Sequence, residues 1–325
     1  MAAASEAGPP LAAVFGGSGF VGRHLVRALT KRGWRVRIAC RRPDLAGHVA
    51  ALGGTGQVHC VQANLRYPDS VAAALRGADA AVNLVAILAE SGRQRFASVQ
   101  ARGAETLARA AAAAGVKTLV HVSSIGASAD ALSEYGRTKA AGEAAMLRHV
   151  PSARIVRPSL IFGPEDQSFN RFAGLARLLP ALPLISGGTK FQPVYVGDVA
   201  EAVARLVEGA GKPGAVYELG GPRVMTMREI FEYVLDVTGR SRPLIPVPDF
   251  IAEFQGALLG LLPKPMLTRD QVLSLRTDNI VAKAASDEGR TLAGLGIAPA
   301  TVESVVPDYL WRFRKSGQFE RPRAA

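Results

Sequence analysis

The chain is poor in the residues that mark disulfide scaffolds, metalloproteins and membrane spans. Only two cysteines, Cys40 and Cys60, occur in 325 residues, with neither C-x-x-C spacing nor a histidine cluster nearby. They read as reduced core thiols in a reducing compartment. The five histidines, His24, His48, His59, His121 and His149, are dispersed, so no metal site is expected. No apolar run reaches the roughly 18 residues a spanning helix needs. The opening "MAAASEAGPP" lacks a basic n-region, and "LAAVF" is too short for a signal peptide. The expectation is a chain on the cytoplasmic side, soluble or peripheral to a membrane.

Acidic residues are in the minority: 39 Lys+Arg against 27 Asp+Glu leave a net charge of +12. That balance implies acidic partners: nucleic acid, anionic lipid, a phosphorylated cofactor or an acidic protein surface. The basic residues are scattered, with no Lys/Arg–aromatic stripe and no helix-turn-helix signal, so nucleic acid is not expected. With 48% hydrophobic and 20% charged residues, a substantial core is available. The length suits one large domain or two modest ones.

The first half alternates strand-like and helix-like segments. "LAAVFGG", "WRVRIACR", "GQVHCVQANL", "AAVNLVAIL", "KTLVHVSSIG" and "ARIVRPSLIFGP" read as buried strands. "GFVGRHLVRALTKRG", "DSVAAALRGA", "FASVQARGAETLARAAAAAGV" and "SEYGRTKAAGEAAMLRHV" read as helices. This predicts an α/β fold with a doubly wound parallel sheet over 11–163. A smaller, mainly helical region over 164–325 should follow, with some strands returning to the sheet. There, Thr226 and Glu229 form a T-x-x-E capping box, and prolines punctuate the apolar helix "DFIAEFQGALLGLL".

"VFGGSGFVGRHLV" lies between the first strand and the first helix. Gly17, Gly19 and Gly22 fit G-x-G-x-x-G, and Gly16, Gly19 and Gly22 fit the offset spacing. Glycines there permit a tight turn and close approach of a pyrophosphate to a helix N-terminus, with Ser18 and Phe20 in the same loop. The position between strand and helix is the context such a motif requires. Chains that select NAD place an acid about 20 residues on, against the ribose 2′-OH. Here "IACRRP" places Arg41 and Arg42 instead, two guanidiniums suited to a 2′-phosphate, so NADPH (NADP) is expected. Asp44 follows Pro43, past the strand end.

In "EYGRTK", Tyr135 and Lys139 stand four apart, on one helix face. An ammonium beside a phenol favours the phenolate, so the pair is a candidate proton-transfer device. A helix-face pair with no chemical task is the plain alternative.

Together, the glycine loop, "HVSSIG" and Tyr-x-x-x-Lys resemble the short-chain dehydrogenase/reductase family in its extended or atypical branch. The resemblance implies that Ser123 or Ser124 polarises a substrate oxygen, Tyr135 exchanges a proton and Lys139 holds the nicotinamide ribose. It places Asn64 and Leu65 at the adenine, Val85 and Ala86 beside the cofactor, and Pro158, Ser159 and Leu160 near the nicotinamide. Gln100 stands where the family's relay has asparagine, which puts the relay in doubt.

Four segments narrow this further: "VNLVAILAESGRQRFASVQARGAE", "RPSLIFGPEDQSFNRFAGLA", "FQPVYVGDVAEAV" and "YLWRFRKSGQF". They resemble the nucleotide-binding accessory subunits of respiratory complex I, the proton-pumping NADH:ubiquinone oxidoreductase, over about residues 11 to 320. That likeness implies a structural subunit holding NADPH without turnover, beside other complex I subunits near the membrane and the quinone-access region. The composition suits a bacterial member, peripheral on the cytoplasmic face of the inner membrane; the matrix side is the eukaryotic equivalent. The stripe Phe250, Ile251, Phe254, Leu258, Leu259, Leu261 and Leu262 suits a membrane, an apolar subunit or a core helix equally by spacing. The basic end, Arg312, Arg314, Lys315, Arg321 and Arg323, suits anionic lipid headgroups or an acidic subunit, with a solvated tail as the plain alternative. Two rivals remain: a soluble NADP-dependent reductase or epimerase using Tyr135 and Lys139, and a module that senses NADPH and controls a partner.

Overall fold

In a computed structural model the chain is described over residues 8–260, 262 and 265–316. In chain order the strands are β1 (Leu11–Phe15), β2 (Arg35–Cys40), β3 (Val58–Gln62), β4 (Ala80–Asn83), β5 (Thr118–Val122) and β6 (Arg154–Pro158). Then come β7 (Ile161–Phe162), β8 (Leu182–Ile185), β9 (Lys190–Phe191), β10 (Val194–Tyr195), β11 (Val216–Leu219), β12 (Met225–Thr226) and β13 (Leu244–Val247). The helices used below are α1 (Phe20–Lys31), α2 (Gly47–Ala50), α3 (Pro68–Leu75), α4 (Arg102–Ala113) and α5 (Glu134–His149). Further on lie α6 (Phe169–Leu178), α7 (Val196–Val207), α8 (Met227–Val237), α9 (Asp249–Leu259) and α10 (Arg269–Ser274).

Seven strands form one parallel sheet in the order β11-β6-β5-β4-β1-β2-β3. This is the doubly wound α/β arrangement, with the strand order reversing between β1 and β4. Its strands are apolar on both faces because helices cover both. On one face Leu25, Leu29, Val199, Val203 and Leu206 of α1 and α7 pack against Val14, Ile38 and Val82. On the other, Leu75 of α3, Leu107 of α4 and Met146 of α5 pack against Phe15 and Leu119. So α7 and β11, from the second half of the chain, complete the sheet layer. A separate core joins α6 and α8 to the chain end through Phe169, Phe231, Val306 and Leu310.

Several expected elements end earlier than their apolar runs. β4 stops at Asn83, and Leu84 to Leu88 leave the sheet as irregular chain. The helix expected from Phe96 begins as a π turn over Ala97–Ala101 before regularising as α4. The capping box forms: Thr226 N–H donates to Glu229 Oε2 at 2.6 Å and Glu229 N–H to Thr226 Oγ1 at 3.2 Å.

The apolar helix α9 is no core helix. Phe250 is 73%, Phe254 72% and Leu258 61% exposed, and only Ala252 and Gly256 of α9 are buried. Leu261 lies outside the described residues. The described part of the basic end is not a free tail. Arg314 Nε donates to Val237 O at 2.9 Å and Arg312 Nη2 to Pro164 O at 3.2 Å. Arg321 and Arg323 lie outside the described residues. Among those residues, no helix is long and apolar enough to cross a membrane.

Candidate nucleotide-binding site

The parallel strands deliver their carboxyl ends in a row, and the loops leaving them carry nearly all the residues singled out above. β1 ends at Phe15 and turns through Gly17 and Ser18 into α1. Gly16 has φ 83°, a left-handed conformation, and its N–H donates to Ala39 O of β2 at 3.2 Å. A Cβ on Gly22 would sit 2.4 Å from Gly16 O and 2.6 Å from Gly17 C, so only glycine lets α1 close onto the loop. Gly19, the N-cap, contributes no side-chain cap, and the first turn, which begins at Phe20, carries no acid. The N–H groups there and the positive end of the helix dipole are left for an anion.

Arg41 and Arg42 follow β2. Arg42 chelates Asp44, with Nη2 to Oδ2 at 2.8 Å and Nε to Oδ1 at 3.1 Å. Arg41 is exposed and has no hydrogen bond or ion pair among the described residues. Asn64 and buried Leu65 follow β3, with Asn64 Oδ1 accepting from Arg66 N–H at 3.1 Å. Val85 and Ala86 follow β4, and Asn83 Oδ1 accepts from Val85 N–H at 3.1 Å. Pro158 ends β6. Ser159 Oγ lies 2.7 Å from both the main-chain and side-chain oxygens of Asn279, while Leu160 packs into the second core. Ser159 is thus already engaged by a distant segment.

Tyr135 and Lys139 rise from α5 beside the end of β5. Ser133 caps the helix, its Oγ accepting from Gly136 N–H at 3.1 Å. Lys139 is buried and donates from Nζ to Val122 O at 2.9 Å. Burial lowers its pKa to about 8, against the pull of Glu143. Glu143 is itself gripped by Arg157, through Nε at 2.9 Å and Nη2 at 2.6 Å. Burial pushes the Tyr135 phenol up, and the Ser124 hydroxyl beside it acts the other way. No hydrogen bond joins Lys139 to the phenol among the described residues. Burial here favours the neutral phenol over the phenolate. Of the two candidate serines, Ser124 stands beside Tyr135. The Ser123 and Ser124 hydroxyls are both buried without a hydrogen-bond partner.

Beneath this pair, Asn83 Nδ2 donates to His121 Nδ1 at 3.1 Å, and burial holds His121 well below its ordinary pKa, hence neutral. Gln100, in the π turn, donates from Nε2 to Thr138 Oγ1 at 3.1 Å, leaving its own carbonyl oxygen without a partner. The Gly22 cradle, the uncapped α1 and the two orphaned serine hydroxyls fit an elongated ligand with a phosphate at one end and a polar ring at the other. A nicotinamide dinucleotide has that form.

The sequence profile described as the NAD dependent epimerase/dehydratase family matches residues 12–220. The chain belongs to that family. It is 35% identical over 320 residues to the mitochondrial NADH dehydrogenase (ubiquinone) 1 alpha subcomplex subunit 9 of Arabidopsis thaliana, covering 94% of this chain and 79% of that protein. It is also 35% identical over 240 residues to a ceramide reductase of Caulobacter vibrioides, covering 73% of each. An NADPH-dependent quinone oxidoreductase of Escherichia coli, solved with NADPH, superposes with a TM-score of 0.72 at 19% identity, over 92% of this chain and 99% of that one. At that identity the likeness shows the fold alone.

In this family member three groups near the pair carried no local sequence signal: Asp270 at the start of α5, Asn279 at Ser159, and Arg157 on Glu143. Asp270 and Glu134 meet across 136 positions, beyond the reach of any spacing rule.

The lowered Lys139 pKa has a stability consequence. A lysine whose folded pKa lies below its unfolded value destabilises the fold where both states are protonated. That cost fades as pH rises through about 8 towards the ordinary 10.5. The full shift corresponds to something on the order of 3 kcal/mol. The nucleotide-free protein is therefore expected to gain stability between about pH 8 and 10 in urea unfolding at fixed ionic strength. Lys139→Met should lose this rise; a variant with the wild-type slope would assign the titration elsewhere.

Proposed function

We propose that the chain is an NADPH-binding accessory subunit of a proton-pumping NADH:quinone oxidoreductase, with the nucleotide as a structural ligand. The observation that carries the reading is the likeness to subunit 9 of the Arabidopsis enzyme, over nearly the whole chain. In the site, Lys139 gives one of its three N–H donors to the Val122 carbonyl, which leaves two for ribose hydroxyls.

The two arginines after β2 favour NADPH over NADH, since Asp44, the nearby acid, is chelated by Arg42. In the proposed site the Gly16–Gly22 loop and the α1 N-terminus hold the pyrophosphate. Asn64 and Leu65 flank the adenine, and Val85, Ala86 and Pro158 border the nicotinamide half. Bound only to the folded state, such a ligand stabilises by about 4 kcal/mol when a thousandfold above its Kd.

The exposed face of α9 supports a seat on an apolar surface of the assembly, near the membrane and the quinone path. The predicted location is peripheral, on the cytoplasmic face of a bacterial inner membrane or the matrix side of a mitochondrial one. Anionic headgroups are a further candidate contact for this basic chain.

Native separation of detergent-solubilised membranes tests the role. Co-migration of the tagged chain with a large assembly carrying NADH:quinone activity is expected. A chain that runs alone in the soluble fraction would favour an NADP-dependent reductase, which the ceramide reductase relative also supports. Turnover abolished by Tyr135→Phe would then establish the enzyme.

A further inference from the structure

Beyond the cleft, one segment joins the exposed apolar face to the tyrosine. α9 and α10 form a helical hairpin bound together mainly by its own contacts. Ala252 and Gly256 of α9 are buried, while Glu253 pairs with Arg269 at 3.2 Å and also with Arg276, which itself meets Asp249 at 3.2 Å. The hairpin should therefore shift as one piece.

Its attachments to the sheet layer are few, and they converge on the tyrosine end of the cleft. Asp270 of α10 accepts from Glu134 N–H at 2.6 Å and from Tyr135 N–H at 3.1 Å. Gln271 Nε2 donates to Leu88 O at 3.2 Å, on the loop that leaves β4. Val272 is fully buried beneath them. Farther out, Thr189 Oγ1 donates to Leu275 O at 2.5 Å.

Helix α5 begins with three free N–H groups, at Glu134, Tyr135 and Gly136. Ser133 takes the third, and Asp270 takes the first two. A carboxylate at that terminus also complements the helix dipole. We propose that Asp270 is a positioning residue for the nucleotide. It latches the first turn of α5, and so the placement of Tyr135 and Lys139, to the α9–α10 hairpin. This rests on the nucleotide reading above and adds a link between the hairpin and the ligand.

The test compares two ligands on the full chain by calorimetry. NADPH spans both halves of the cleft; adenosine 2′,5′-bisphosphate reaches only the glycine loop and the arginines. Asp270→Ala is expected to raise the NADPH Kd about tenfold, the scale of a missing helix cap. The bisphosphate Kd should stay within about twofold. Amide exchange at Glu134 and Tyr135 should rise in parallel. Asp270→Asn keeps one carbonyl acceptor and should fall between, and it serves as the test if the alanine variant does not fold. Equal weakening for both ligands would mean general destabilisation and overturn the latch, as would unchanged affinity for both. Failure of wild-type protein to bind either ligand would instead overturn the nucleotide reading itself.

Discussion

Arg41→Glu combined with Arg42→Glu is expected to raise the Kd for NADPH about a hundredfold, roughly tenfold for each guanidinium–phosphate hydrogen-bonded pair removed. The Kd for NADH should change little. Only the 2′-phosphate distinguishes the two nucleotides, and in the proposed site the loop after β2 meets it. Arg41 is free to turn onto that group. Arg42 must share or leave Asp44, but the pair is fully exposed, and exposed ion pairs are weak. A 2′-phosphate carries more charge than a carboxylate and offers three acceptor oxygens, so it should win the guanidinium. In membranes, the same variant should be retained less well in the assembly, because the stabilisation supplied by the nucleotide is gone. Equal weakening of NADPH and NADH, or none, would remove the arginines from the site.

Gly22→Ala is expected to cost about 3 kcal/mol and to abolish nucleotide binding. The added methyl would meet Gly16 O at 2.4 Å and Gly17 C and Cα at 2.6 Å. All three are backbone atoms in a loop pinned between β1 and β2, so no side chain can swing aside. Relief requires α1 to lift from the turn, which opens the cradle and uncouples Leu25 and Leu29 from the sheet. A fall of roughly 4 °C in melting temperature follows from the size of the destabilisation in a chain of this length. Gly47→Ala is the control, since nothing lies within 4 Å of a Cβ there. A Gly22→Ala protein that melts and binds like wild type would show that the loop opens freely.

Both effects concern features that local sequence already marks. Strand and helix alternation, the glycine loop, the paired arginines, the capping box and the Tyr-x-x-x-Lys spacing are all short-range patterns. Each reports a conformation or a charge within one or two turns of chain. That is why the sheet, the glycine turn into α1 and the family were legible from residues alone.

Tertiary structure decided the rest, because burial and long-range contact have no signature in spacing. The apolar spacing of α9 fitted a core helix and a docking face equally; the fold left Phe250 and Phe254 in solvent. The arginines of the chain end suited lipid headgroups, an acidic subunit or a solvated tail; the fold bonds Arg312 and Arg314 to distant carbonyls. Most directly, Tyr135 and Lys139 looked like a proton-transfer pair by spacing. Their surroundings raise the phenol's pKa, turn the ammonium to Val122 O, and tie the helix that carries both to Asp270, more than a hundred residues away. Residue types set which groups could meet a nucleotide; burial and the hairpin contact, which exist only in the folded chain, set how the pair is placed.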